Sequence, residues 1–281
     1  MKTEGATVRI RDGQAIAALG QGTWYMGDHA AQRKHEIAAL RLGIELGMTL
    51  IDTAEMYGNG RAESLVGEAI RGMRERVFLV SKVLPSNATR KGVRRACEAS
   101  LKRLCTDRID LYLLHWASSH PLEETLLGFE ELCAVGKIRY WGVSNFDRRE
   151  MDKTFAIPGG AACAANQVLY NLMRRGVEHD LMPWCRAHGV AMMAYSPIEQ
   201  GRLLAHRDLK RIAEQHDTTP ARIALAWVLR QPDVIAIPKA ARVEHVRDNR
   251  AALDLELTAE DLADLERAFP PPEGPTPLEM L

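Results

Sequence analysis

The sequence predicts a closed (β/α)₈ barrel of the TIM type, with an N-terminal β-hairpin and an extra C-terminal helix. Three observations carry that expectation. Eight short strand-like runs alternate with helical segments along almost the whole chain. The connections between them are short, and the runs themselves are mostly apolar, as parallel strands buried on both faces require. Eight such units suit a closed barrel better than a doubly wound sheet, and a chain of 281 residues is long enough for one, since these barrels run to ~250 residues.

The elements follow in order. Val8–Ala18 reads as a hairpin around Asp12-Gly13, either a lid on one end of the barrel or an edge hairpin. Leu19–Trp24 is the first barrel strand, with a helix over Arg33–Leu46 that stops at Gly47. Thr49–Thr53 is the second strand, followed by a helix over Ala62–Arg71. Val77–Val83 and the helix Lys91–Leu104 make the third unit, Ile109–His115 and Glu123–Val135 the fourth, with Gly136 as the stop. Ile138–Ser144 with Arg148–Phe155 is the fifth, and Ala162–Val168 with Glu178–His188 the sixth. Val190–Tyr195 is the seventh strand, and its helical sequence, Leu209–Arg230, breaks near Thr218–Pro220. Val234–Pro238 with Val243–Leu253 is the eighth unit, and a further helix, Ala259–Ala268, precedes a Pro-rich tail. No linker interrupts this alternation, so residues 1–281 are expected to form a single domain.

Composition narrows the function classes. Lys and Arg number 37, as do Asp and Glu, so no overall charge points to nucleic acid or an anionic membrane. The five cysteines are odd in number and form no CxxC, which fits reduced thiols of a cytoplasmic protein. The start MKTEGATVRI has no apolar stretch of the signal-peptide kind, and no run approaches the ~20 apolar residues that span a bilayer.

In such a barrel the chemistry gathers at the carboxyl ends of the strands. The second strand ends in Asp52, with Tyr57 five residues on; the third carries Lys82 and the fourth His115, followed by Trp116. Each has a plain reading: a loop-capping Asp, a surface Tyr, a structural ion pair and a core His. Together they have a joint one. A buried ammonium needs a carboxylate, and Asp52 on the adjacent strand supplies it. Tyr57 beside Lys82 becomes a proton donor whose pKa is drawn down from ~10 by ~1–3 units. His115 can polarise a substrate carbonyl. No Ser or Cys nucleophile with its base is evident, so the attacking group is expected to be a cofactor hydride. A metal site is not expected, since His115 and His120 lack a clear third ligand.

With these residues in view, the chain resembles the aldo-keto reductases along nearly its full length. IDTAEMYG, LVSKV and LLHW carry the family's catalytic tetrad as Asp52, Tyr57, Lys82 and His115. GQGTWYMG, GVSNF, NQVLY, AYSP and IPKA bring it nearest to bacterial methylglyoxal and diketogulonate reductase-like members. There is no GxGxxG, so a Rossmann fold is not implied. The resemblance instead implies NADPH laid across the barrel mouth. It places Ser144, Asn145 and Gln167 on the carboxamide, Tyr195 against the nicotinamide ring, and Ser196 and Pro197 beside it. Lys239 falls at the 2′-phosphate, with Arg242 and His245 near it and Asn249 at the adenine. His245 is a departure, because the family often has Arg six residues after that Lys.

Trp24 and Trp116 are expected to line the substrate pocket, with Tyr25 and Leu84 as neighbours. The short tail Pro270–Leu281 implies an open pocket. The resemblance implies a monomer that reduces small aldehydes and 2-oxoaldehydes such as methylglyoxal, with keto sugars as further candidates. Two other readings stand beside it: a nicotinamide-binding regulatory subunit with little turnover, and a cofactor-independent barrel hydrolase or isomerase.

Overall fold

The computed structural model describes residues 6–281. Among the described residues there are ten strands. A short antiparallel hairpin, β1 (Thr7–Arg9) and β2 (Ala15–Ala17), precedes eight parallel strands. These are β3 (Gln21–Gly22), β4 (Leu50–Asp52), β5 (Phe78–Val83), β6 (Ile109–Leu114), β7 (Ile138–Ser144), β8 (Ala165–Leu169), β9 (Ala191–Tyr195) and β10 (Val234–Ala236). They pair in sequence order. Parallel bridges from Leu19 to Ala236 and from Gly22 to Lys239 join the first barrel strand to the last, which closes the barrel.

The outer layer is α1 (Arg33–Glu45), α2 (Arg61–Ala69), α3 (Arg90–Leu104), α4 (Leu122–Ala134), α5 (Arg148–Ala156), α6 (Leu181–Ala187), α7 (Arg207–Gln215), α8 (Pro220–Leu229) and α9 (Val243–Ala251). The extra helix, α10 (Ala259–Ala268), starts with a Thr258/Asp261 capping box. The break expected near Thr218–Pro220 is where α7 ends and α8 begins, with Pro220 in the first turn and the Thr219 side chain as the N-cap.

Two apolar clusters reflect the two faces of the sheet. The barrel interior is filled by Leu50, Val80, Leu111, Leu113, Met193 and Ile235, and the hairpin's Val8, Ile10 and Ile16 join that cluster. The hairpin is therefore a plug packed into the barrel, not an edge. Its connection differs from a two-residue Asp-Gly turn. Residues Arg11–Gly13 form a helical turn with Asp12 and Gly13 both at positive φ, and the Asp12 carboxylate accepts from the Tyr140 hydroxyl at 2.7 Å. The second cluster lies between the sheet and the helices and includes Leu40, Leu79, Tyr112, Phe129 and Trp227.

The first barrel strand is shorter than the apolar run Leu19–Trp24 implied. Gly20 and Gly22 lie so close to Leu50 and the Ile237 carbonyl that a Cβ on either would come within 2.7 Å. Gln21 between them turns its amide onto the Leu40 and Met48 carbonyls. Close approach, rather than a long ladder, seats this strand. The sixth strand starts later than expected, because Gly160–Ala162 forms a 3₁₀ turn.

Gly142 in β7 is the tightest such position within a long strand: an added Cβ would lie 2.4 Å from the Ala165 carbonyl oxygen. Gly142→Ala should destabilise the protein by about 1–3 kcal/mol, the usual cost of overpacking, as measured by urea unfolding. Gly274→Ala, whose Cβ would meet nothing within 4 Å, should leave the midpoint unchanged.

Candidate active site

The parallel register delivers three polar side chains to one end of the barrel. Asp52 is the last residue of β4, paired with Val80 of β5, so Lys82 lies two residues further along the adjacent strand. His115 follows β6 directly, its amide donating to the Val83 carbonyl. Tyr57 opens a tight turn in which Gly58, Asn59 and Gly60 all have positive φ. Gly58 cannot carry a side chain there, because its Cβ would sit 2.6 Å from Asp28 Oδ1, which accepts from Arg61.

Lys82 is fully buried. Its ammonium donates to Asp52 Oδ2 at 2.7 Å, to the Thr53 carbonyl at 2.9 Å and to the Tyr57 hydroxyl at 3.1 Å. Three donors thus meet three acceptors. Burial alone would lower the Lys82 pKa, but the Asp52 charge and the bonds to Asp52 and Tyr57 carry it above the ordinary lysine value, so the amine stays charged.

Tyr57 behaves differently from the sequence expectation. Burial raises its pKa, Lys82 opposes that, and the Asp52 charge adds to the rise; the net shift is upward. The ammonium does not make this phenol acidic, because desolvation prevails and the Asp52 charge opposes the ammonium's pull. Tyr57 is therefore held protonated at neutral pH. His115 is pushed down to about 3 by burial and by the neighbouring Lys82 charge. Its imidazole is neutral, and its Nδ1 is buried without a partner.

Most of the remaining expected residues lie around one cavity, of about 670 Å³. It is lined by Trp24, Tyr25, Asp52, Tyr57, His115 and Trp116 at one end and by Lys239, His245 and Asn249 at the other, with Ser144, Asn145, Gln167, Tyr195, Ser196 and Pro197 between. The middle group is bonded internally. Gln167 Nε2 donates to Asp52 Oδ1 at 2.7 Å, Ser144 Oγ to the Gln167 carbonyl at 2.9 Å, and Asn145 Nδ2 to the His115 carbonyl at 3.1 Å. The Tyr195 hydroxyl donates to Asn145 Oδ1 at 3.1 Å. Burial pushes Tyr195 up to about 12.

Two expected residues do not reach the wall. Leu84 lies off it, its amide fixed to Glu55 Oε1. Arg242 stands behind His245 and donates to His245 Nε2 at 2.6 Å, so that nitrogen is an acceptor. The tail also departs from expectation. Although short, it runs back to the cavity, and Met280 and Leu281 line it, so the pocket is more closed than tail length implied. Sequence reasoning missed Glu55, which ties the β4 loop to Leu84 and Asn87, and Glu199, fully buried beneath the loop after β9. A charged residue next to Gln200-Gly201 carried no signal of burial. Among the described residues no cluster of three or more His, Cys, Asp or Glu could hold a metal ion, and no helix is long and apolar enough to cross a membrane.

A parallel barrel with an Asp–Lys–Tyr–His constellation at the carboxyl ends of its strands defines a class of proteins built for proton transfer beside a long cavity. Comparison with known proteins makes the class specific. The Aldo/keto reductase family model matches residues 18–269, and the chain belongs to that family. It is 54% identical to methylglyoxal reductase YeaE of Escherichia coli over 95% of this chain and 96% of that protein. It is 32% identical to methylglyoxal reductase DkgB of Salmonella typhi over 88% and 90% of the two chains. Among solved structures, an aldo/keto reductase from Klebsiella pneumoniae in complex with NADP and acetate superposes with a TM-score of 0.96 at 53% identity, covering 99% of this chain and all of that one.

The His115 environment sets a pH dependence. An imidazole with an unfolded pKa near ~6.5 and a folded value of about 3 binds its proton more readily when unfolded. Its contribution is intact above the unfolded value and falls by about 1.4 kcal/mol per pH unit as pH drops toward the folded one. The stability difference between wild type and His115→Gln, followed by urea unfolding from pH 7 to pH 4.5, should change with that slope. A difference that stays flat would mean that His115 is not buried neutral.

Proposed function

We propose that the protein is an NADPH-dependent carbonyl reductase acting on small aldehydes and 2-oxoaldehydes such as methylglyoxal, with Tyr57 as the proton donor. The observation that carries this reading is the buried Lys82 ammonium held 3.1 Å from the Tyr57 hydroxyl on the cavity floor. The names of the two methylglyoxal reductases and of the NADP complex support it. The cavity's donor set fits the cofactor. Amides and a hydroxyl (Ser144, Asn145, Gln167) suit a carboxamide, the Tyr195 ring suits a flat heterocycle, and Lys239 and His245 at the far end suit a phosphate. NADPH, when bound, supplies a hydride to the carbonyl carbon.

The chain's own residues do the rest. Neutral His115 donates one ring N–H toward the carbonyl oxygen and helps to polarise it. Tyr57, kept protonated by burial, gives its proton to the oxygen as negative charge develops there. The phenolate left behind is stabilised by the Lys82 hydrogen bond and charge, while Asp52 holds the ammonium in place. Trp24, Tyr25, Met56 and Trp116 make the substrate end apolar and exclude water from the transfer. We place this activity in one catalytic domain acting as a cytoplasmic monomer. The five cysteines, all free, accord with a reducing compartment.

Tyr57→Phe should lower kcat with methylglyoxal by roughly 10²–10⁴-fold while NADPH still quenches protein fluorescence. Near wild-type turnover would remove Tyr57 from the role, and NADPH binding without turnover in the unaltered protein would favour a regulatory subunit. Lys239→Met should weaken NADPH by about tenfold or more, from the loss of about 1.5–3 kcal/mol of hydrogen bonding to a charged group, with NADH binding unchanged. Equal losses for both cofactors would place the 2′-phosphate elsewhere.

A further inference from the structure

Two chain segments contribute to the cavity wall, and one side chain joins them. The first is the loop after β9, from which Ser196, Pro197, Ile198, Gln200 and Gly201 line the cavity. Its backbone is costly: Ser196, Glu199 and Gln200 have φ of 48°, 50° and 53°, values that non-glycine residues rarely adopt. Something must hold it. The holder is Glu199, whose carboxylate is fully buried. It accepts from Asn171 Nδ2 at 2.8 Å, from Arg174 Nη2 at 3.0 Å and from Arg202 Nη2 at 2.9 Å. Burial works to raise the Glu199 pKa, but these bonds outweigh it and keep the carboxylate ionised. Asn171 also donates to the Ser196 carbonyl at 2.9 Å. The loop is thus pegged to the turn after β8, where Asn171 and Arg174 are paired through their backbones.

The second segment is the tail. Between Pro275 and Glu279 it lines a separate cavity of about 320 Å³ together with Asp147, Arg148 and Val177. Its polar anchor is Glu279, which accepts from Arg174 Nη1 at 2.5 Å. Leu278 packs against the core cluster, and Thr276 sits over Gly176, where a Cβ would come within 2.3 Å of its Oγ1. Beyond this anchor, Met280 and Leu281 turn into the main cavity.

We propose that Arg174 is a positioning residue that ties the loop after β9 to the tail, so that one guanidinium sets the cofactor wall and the substrate wall together. Its planar fork is suited to this, since Nη2 and Nε face Glu199 and Nη1 faces Glu279. The two ties differ in strength. Glu199 is buried and charged, whereas Glu279 is half exposed, with a side-chain exposure of 44%. The loop therefore depends on Arg174 more than the tail does. The assignment of the two walls rests on the reductase reading above; the tie itself does not.

Arg174→Met keeps the length of the stem, and Arg202 still partners Glu199, so no buried carboxylate is left without a cation. The variant should weaken NADPH binding by about tenfold and raise KM for the aldehyde by about threefold, with kcat at saturation within about twofold of wild type, magnitudes on the scale of losing one hydrogen bond to a charged group while Arg202 still compensates Glu199. Glu279→Gln should raise KM by about threefold and leave NADPH affinity unchanged, and it should have no further effect in the Arg174→Met background, as expected of two residues acting through one contact. Hydrogen exchange on the cofactor-free protein gives an independent readout. Arg174→Met should lose protection in residues 196–201 and 278–281 together, and Glu279→Gln in the tail alone. Unchanged protection of both segments in Arg174→Met would overturn the tie. Lost protection with no NADPH binding by wild type would uphold the tie and refute the cofactor assignment. Additive effects of the two substitutions on KM would show that the segments are held separately.

Discussion

A fully buried ammonium sets the terms for the rest of the site. Removing a lysine from water costs several kcal/mol unless its charge and all three donors are satisfied. The chain meets this demand from one stretch, β4 and its loop: Asp52 supplies the counter-charge, Thr53 a carbonyl and Tyr57 a hydroxyl. The position of Tyr57 is then no longer free, since the third donor of Lys82 points at it. Asp52 in turn spends its other oxygen on Gln167 of β8, four strands away in the barrel order. A carboxylate only accepts, so the Gln167 amide must turn its nitrogen toward Asp52. One buried charge thereby fixes the orientation of groups on β4, β5 and β8 at once.

The electrostatic consequence runs against a simple pairwise argument. An ammonium beside a phenol lowers the phenol's pKa when the two are taken alone. Here the ammonium arrives with its carboxylate, which offsets part of its pull on Tyr57, and burial, the largest influence, decides, so the pKa rises. For the proton-donor role proposed for Tyr57 that outcome is useful. A donor that must give a proton to a developing alkoxide has to hold it beforehand, and the Lys82 bond lowers the cost of the phenolate only as it forms. His115 follows the same logic: two influences, burial and Lys82, oppose its protonation, so it can polarise a carbonyl as a neutral donor without adding a mobile charge.

The alternation of eight apolar runs with helices was legible because strand ends in a parallel barrel are marked by short polar turns, and the break at Thr218–Pro220 because proline cannot continue a helix. Asp52, Lys82 and His115 were legible as polar residues at the ends of apolar strands. Tertiary close approach was not legible. The first strand shrinks to Gln21–Gly22 because its glycines are needed for contact with Leu50 and Ile237 rather than for pairing. The hairpin's Asp-Gly reads locally as a tight turn, but Asp12 is engaged by Tyr140, a residue 128 positions away. Leu84 stands two residues after Lys82, close in sequence to the site and yet off the cavity wall, because Glu55 captures its backbone. Glu199 was invisible for the opposite reason: beside the local pair with Arg202, its burial depends on Asn171 and Arg174, which lie 28 and 25 positions earlier in the chain.

The cavity is built from two kinds of material. Its floor consists of strand ends whose groups are locked by backbone register, which suits proton transfer, where small displacements are costly. Its walls consist of loops and tail held by side chains, and non-glycine residues in left-handed conformation gather there: Tyr25, Asn145, Ser196 and Gln200 all line the cavity. Such backbone persists only where surrounding contacts over-determine it. Tyr25 stacks on Trp24 with ring centroids 4.6 Å apart, Asn145 is held by the His115 carbonyl and Tyr195, and the loop after β9 is held by Glu199. These walls can change with a single side chain while the floor stays in place. The chemistry is accordingly fixed by the barrel, and the choice of molecule that meets it is left to parts that are costly in conformation and cheap to alter.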